Sequence, residues 1–197
     1  MPYVYSTAPL LLLLAATSLT IGTGEAVTAF YASYRTAHPA LTAFIQVLTD
    51  WGNPALYLVY GTLYLRASKT ADPATRRFVI AYIVVQLLVA FLFVRILKIV
   101  IGKPRPGIGG DFSPFSFNAG NNSFPSGHTA EIAGAIIPLA QRWRNVALTV
   151  LLSCYLAAVG YSRVYLGMHH MSDVLAGTGL GCAAAYLIHR LAHRTTS

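Results

Sequence analysis

Charge is what this chain of 197 residues has least of: 10% of it is Asp, Glu, Lys or Arg, where a soluble domain carries about 25%. With 55% hydrophobic residues and a mean hydropathy of +0.57, that scarcity excludes an ordinary soluble domain and points to a membrane protein. Cysteine is nearly missing too. Cys154 and Cys182 both lie inside apolar runs, which speaks against a disulfide or a metal pair and for two small buried hydrophobes. The net charge is +8, yet no basic cluster with interleaved aromatics occurs, so nucleic acid is not an expected partner. The arginines fall instead in short breaks between apolar runs, as topology signals do. No basic residue precedes the run that begins at Pro9, so the positive n-region of a signal peptide is missing and the run reads as an uncleaved first span. Neither an internal repeat nor a low-complexity tail is present.

What is there is a series of apolar segments, which predicts an all-α, polytopic membrane protein of about six transmembrane helices in one domain over residues 1–197. Span one runs from Ala8 to about Thr23, and residues 1–39 hold it and its connection, with Arg35, His38 and Pro39 marking a break. Leu41 to Leu48 is shorter than the roughly 20 residues a bilayer requires, so it reads as an interfacial or re-entrant helix ending at Asp50-Trp51-Gly52-Asn53. Span two follows from Pro54 to Leu65, its proline suiting a first turn and Asp50 or Asn53 capping it. Span three runs from Phe78 to Ile101 and stops at Gly102-Lys103-Pro104. Span four opens at Pro125-Ser126-Gly127-His128 and reaches Gln141, span five covers Val146 to Tyr161, and span six Met171 to Leu191. The loops 66–77 and 142–144, with Arg190 and Arg194 in the tail, carry eight of the fourteen basic residues, a weak bias that places them on the cytoplasmic side with both termini. Trp51 and Trp143 are then belt residues at span ends.

Three segments fall on the opposite, outer face. They are Lys98 to Pro106, Pro125 to His128, and Ser162 to Asp173, and together they supply Lys98, Arg105, Ser126, Gly127, His128, Arg163, His169 and Asp173. A cation buried in a membrane is costly, and several converging from separate segments repel one another unless an anion joins them. For Arg95 and Lys103, snorkelling to the interface is the better reading. A phosphate fits the rest: arginines grip it through paired N–H groups and a lysine adds a point charge. Ser126-Gly127-His128 at a helix start adds backbone N–H groups and the positive end of the helix dipole. If a helix begins near His169, Asp173 lies one turn on and orients the imidazole. His169 then attacks phosphorus to form a phosphohistidine, and His128 protonates the leaving oxygen and later deprotonates the attacking water.

These segments resemble the signature of the type 2 phosphatidic acid phosphatase superfamily, also called the lipid phosphatase/haloperoxidase superfamily. Lys98 with Arg105-Pro106 matches its first motif, Pro125-Ser126-Gly127-His128 its second, and Ser162-Arg163, His169 and Asp173 its third, over about residues 40–192. The resemblance implies a helical phosphatase core without metal or other cofactor, seated in the bacterial inner membrane with its site on the periplasmic side. It also implies a phospholipid or polyprenyl phosphate substrate: undecaprenyl diphosphate, phosphatidylglycerophosphate, phosphatidic acid or a lipid A phosphate. A homo-oligomer is compatible with it. Three rivals are weaker. Zinc held by His128, His169, His170 and Asp173 would sit beside three cations, and the vanadate haloperoxidases that share the motifs are soluble. A lipid-phosphate transporter or binding protein would need a polar path across the membrane, for which Glu131 is the one pointer, and a buried structural acid is its plainer reading. His170 has no role in the pattern. Phe112, Phe115 and Phe117 offer apolar contacts beside the headgroup.

Overall fold

A computed structural model describes residues 2–193, so Arg194 of the predicted tail lies outside the described residues. The elements are α1 (Pro2–Thr20), α2 (Glu25–Ala37), α3 (Pro39–Lys69), α4 (Pro73–Gln86), a π-helical stretch Leu87–Phe93 that leads without a break into α5 (Val94–Ile101), α6 (Gly127–Trp143), α7 (Val146–Tyr165) and α8 (Met171–Ala192). The described residues include no strand. Four helical segments are long and apolar enough to cross a membrane: Tyr3–Thr20, Pro73–Ile101, Val146–Tyr165 and Met171–Ala192. The predicted count of six adds α3 and α6, which length and composition do not by themselves make spans.

Local chemistry sets several boundaries. Asp72 caps α4, its carboxylate accepting the N–H groups of Ala74 and Thr75, both at 3.0 Å, while Pro73 takes the first helical position, where no N–H is needed. Asn145 caps α7 through the Leu148 N–H at 2.9 Å. Gly102 ends α5 in a left-handed conformation, φ 61°, and a side chain there would collide with the Ser113 carbonyl. This is the stop expected from the Gly102-Lys103-Pro104 sequence.

The second quarter of the chain differs from the sequence reading. Leu41 to Leu48 is not a separate interfacial helix and Pro54 does not start a span, because both lie inside the 31-residue α3. Pro54 removes one helical hydrogen bond, but neighbouring helices hold the backbone there. The Tyr155 hydroxyl donates to the Gly52 carbonyl at 3.0 Å, and buried Asn53 donates to Glu131 on α6 at 2.5 Å. Asp50 and Asn53 therefore cap nothing, and Trp51 stands mid-helix, exposed. Cys154 is also exposed rather than buried.

The core is organised on α6, in which Ala130, Ile132, Ala133, Ala135, Ile136, Ile137 and Leu139 are all buried. Its partner α8 meets it through Gly177 and Gly181, one turn apart. A Cβ on Gly181 would strike the Ala133 side chain and the Ala130 carbonyl, and one on Gly177 would strike the Ser126 carbonyl. Small residues four apart let two helices approach closely in a membrane, where packing rather than hydrophobicity drives association. On the far side α1 crosses α7 with Leu10 seated over Gly160. Large apolar side chains such as Phe44, Leu58, Leu65, Phe91 and Val146 face outward, as lipid contact requires.

Gly181→Leu should therefore destabilise the bundle by about 3 kcal/mol or more, as overpacking against backbone does. Gly179→Leu on the same helix, with open space around it, should leave the thermal midpoint in detergent unchanged. Equal midpoints for the two variants would refute the close α6–α8 contact.

Candidate active site

The site is built around the start of α8. Asp173 is fully buried, and its carboxylate is surrounded by donors. Oδ1 takes the Lys103 ammonium at 2.6 Å, and Oδ2 takes the Ser123 hydroxyl at 2.5 Å and the His170 N–H at 2.9 Å. His169 Nδ1 lies 3.7 Å from Oδ2, an ion-pair distance longer than a hydrogen bond. The helix begins at Met171, where the apolar run of the sixth span is expected to start. His169 therefore sits in the preceding turn, which is folded back by the Met168 and His169 N–H groups onto the Arg163 carbonyl at 3.0 and 3.1 Å.

His170, unexplained by the motif pattern, is the N-cap of α8. Its N–H binds the Asp173 carboxylate and its ring Nε2 lies 3.2 Å from the Pro104 carbonyl, tying this turn to the first motif. Lys103 overturns the snorkelling expectation. Its ammonium is spent on Asp173 and on Ser172 Oγ at 2.8 Å, and it stands 5.7 Å from the Phe124 ring. Sequence offers little sign of this, since Lys103 lies 70 residues from its partner.

The phosphate-binding candidates converge from three elements. Lys98, on the last turn of α5, donates to the Asn122 carbonyl at 2.6 Å. The π-helical turns before it add a residue to the winding and so change the face that α5 presents. Arg105 is held by the Ala119 carbonyl at 3.1 Å and by the Met168 sulfur at 3.0 Å. Arg163 is buried, with Nη1 on the Thr49 hydroxyl at 2.9 Å and Nε lacking a partner among the described residues. Lys98 and Arg163 each lie in the field of Arg105, and His128 in the fields of Arg163, His169 and Lys98. Such a set of like charges suits an anion that can accept several donors at once.

Ser126 has a narrower part than expected. It is the N-cap of α6, fully buried, with Oγ 2.8 Å from the Thr129 hydroxyl and 3.4 Å from the Thr129 N–H, and its own N–H donates to the Asp173 carbonyl at 2.9 Å. The hydroxyl is thus engaged in capping. Gly127 and His128 are the first two helical residues, whose N–H groups have no intrahelical acceptor. Gly127 faces the Lys98 side chain: a Cβ there would stand 3.5 Å from Val94 and 3.9 Å from Lys98, in ordinary contact.

Residues outside the motifs complete the setting. Arg35 on α2 donates to the Tyr165 carbonyl and lies against Gly167, whose φ of 68° suits a residue without a side chain. It thereby props the turn between Arg163 and His169. Below His128, Asn53 pairs with Glu131 and the Gln86 amide donates to the Glu131 carbonyl at 2.8 Å. Glu131 is thus part of an interhelical polar contact. Burial drives His169 down to about 4, with the Lys98 and Arg163 charges adding to the effect and Asp173 opposing it. The imidazole is held neutral, the form in which its free nitrogen is a nucleophile.

With this geometry in hand, similarity to known proteins is informative. A lipid A 1-phosphatase of Rhizobium johnstonii is 30% identical over 156 residues, 69% of this chain and 62% of that protein. A lipid A 4'-phosphatase of Porphyromonas gingivalis is 22% identical over 163 residues, 78% and 67% of the two chains. The chain thus spans just under two thirds of the Rhizobium protein. The crystal structure of a transmembrane PAP2-type phosphatidylglycerolphosphate phosphatase from Bacillus subtilis superposes with a TM-score of 0.60 at 24% identity, over 94% of this chain and 95% of that one, which shows a shared fold. The sequence profile of the PAP2 superfamily matches residues 78–197, a stretch that contains all three motif segments, and the chain belongs to that superfamily.

Proposed function

We propose that the chain is a membrane lipid phosphatase that hydrolyses a lipid phosphomonoester or diphosphate at the extracytoplasmic face of a bacterial inner membrane. Undecaprenyl diphosphate, phosphatidylglycerophosphate, phosphatidic acid and lipid A phosphates are its substrate candidates. The observation that carries this reading is the gathering of Lys98, Arg105, Arg163 and His128 around buried His169 and Asp173 at one end of the bundle. The relatives named as lipid A phosphatases support the same class of reaction. A lipid substrate also suits a cavity of about 460 Å³ beside Lys103, His170 and Ser172, which continues along Leu11, Leu14 and Leu175 between α1 and α8.

In this reading Lys98, Arg105 and Arg163 hold the equatorial phosphate oxygens, together with the free N–H groups at the start of α6. Asp173 lies on the Nδ1 side of His169, so Nε2 attacks phosphorus. The P–N bond forms as the bond to the leaving oxygen breaks, and His128 gives that oxygen its proton. Water then attacks the phosphohistidine, its proton passes to His128, and the P–N bond breaks to release phosphate. Lys103 and Ser123 hold the Asp173 carboxylate in place beside the imidazole. The opposite end of the bundle, with Arg66, Lys69, Arg76, Arg77, Arg142 and Arg144, is the cytoplasmic one by the distribution of positive charge.

Purified protein in detergent with EDTA, offered a panel of these lipid phosphates, should release phosphate from at least one. Failure on every substrate would favour a binding or transport role, and loss of release on adding EDTA would require a metal. His169→Ala should lower turnover by about a thousandfold or more while the protein keeps its thermal midpoint, and Asp173→Asn should be damaging but less complete. Near-normal turnover in His169→Ala would remove it as the nucleophile. Because a depressed histidine pKa keeps the ring neutral until the solution is quite acidic, the acid limb that His169 controls should fall near pH 4. Turnover limited by His169 should then hold from about pH 7 to about pH 5. A limb near 6.5 that disappears with His169 would contradict the buried, neutral imidazole.

A further inference from the structure

The catalytic reading uses one end of the bundle and leaves a large cavity unexplained. That cavity, about 1120 Å³, opens at the other end, between the last turns of α6 and α8, the start of α7 and the first turns of α1. The 17 residues of α6 separate it from the phosphate cradle, about 25 Å of helix. Its walls are mainly apolar and aromatic, including Tyr3, Phe78, Val146, Val150 and Tyr186, and among the described residues no Asp or Glu lines it. It exceeds the roughly 300–1,000 Å³ of a typical small-molecule pocket.

The mouth of this cavity is positive. Arg142, one of its lining residues, is anchored by the Thr75 hydroxyl at 2.5 Å and by the Phe78 ring at 4.9 Å, which fixes a positive charge there. Arg144 is exposed on a left-handed residue just past α6. The next helix starts at Val146, so the free N–H groups and positive dipole end of α7 face the same opening. Gln141 also lines it, with a buried side-chain oxygen that has no partner among the described residues. Asp72 is the only carboxylate described at this end, and it is occupied by Thr75 and the cap of α4.

We infer that this cavity binds an anionic phospholipid with a hydroxylated headgroup, of the phosphatidylglycerol type, from the leaflet opposite the catalytic face. The phosphate rests on Arg144 and the α7 N-terminus, a headgroup hydroxyl donates to Gln141, and the acyl chains run along Tyr186, Val146 and Val150. The inference depends on the membrane setting and not on the phosphatase reading.

Trp143, between the two arginines, is a built-in reporter, and replacing exposed Trp51 by Phe leaves it as the single tryptophan. The Trp51→Phe protein is placed in phosphatidylcholine vesicles that contain increasing fractions of either dibrominated phosphatidylglycerol or dibrominated phosphatidylcholine. The brominated phosphatidylglycerol should quench Trp143 at a clearly lower mole fraction and reach saturation. Adding Arg144→Gln should move that curve by about fivefold toward the phosphatidylcholine curve, the effect of one cation near an anionic headgroup. Coincident curves for the two lipids, or a phosphatidylglycerol curve that Arg144→Gln leaves in place, would overturn the site.

Discussion

Asp173 is a carboxylate with no exposed surface, and a buried charge persists only when its surroundings replace the water it has lost. Here the replacements come from every part of the site. Lys103 arrives from the loop after α5, Ser123 from the segment before α6, and the His170 N–H from the turn that starts α8. The Asp173 backbone carbonyl receives the Ser126 N–H as well. Satisfying this one residue brings the three motif segments to one place.

The helices make that gathering rigid. Gly177 and Gly181 let α8 lie against α6 at backbone distance, so the two N-termini that carry His128 and Asp173 cannot slide past each other. The extra winding of Leu87–Phe93 and the left-handed stop at Gly102 aim Lys98 and Lys103 in their separate directions. Arg35 and Thr49, from helices that precede the matched family region, brace the turn and the guanidinium of the third motif. The first third of the chain is thus part of the site's support.

Much of the site was legible in the sequence because its chemistry is carried by rare residue types. In a chain so poor in charge, Lys98, Arg105, Arg163, His169 and Asp173 stand out at once, and proline and glycine mark the ends of the helices on which they sit. Lys103 was misread because a lysine beside a span end looks the same whether it reaches for water or for a carboxylate 70 residues away. Pro54 was misread for a related reason: whether a helix survives a proline depends on partners such as Tyr155 and Glu131, which the local sequence does not reveal.

By itself, then, the sequence determined the helical membrane character, the stop at Gly102, and the residue types that make up the candidate phosphate site, because each follows from local composition and spacing. The tertiary structure decided which cation neutralises Asp173, that the Ser126 hydroxyl caps α6, and that His170 links two motifs. These outcomes are settled by burial, where a polar group must take whichever partner the packing of distant helices brings within reach. The Ser162–Asp173 stretch shows the division: its residues could be read in order along the chain, but their partners only in space.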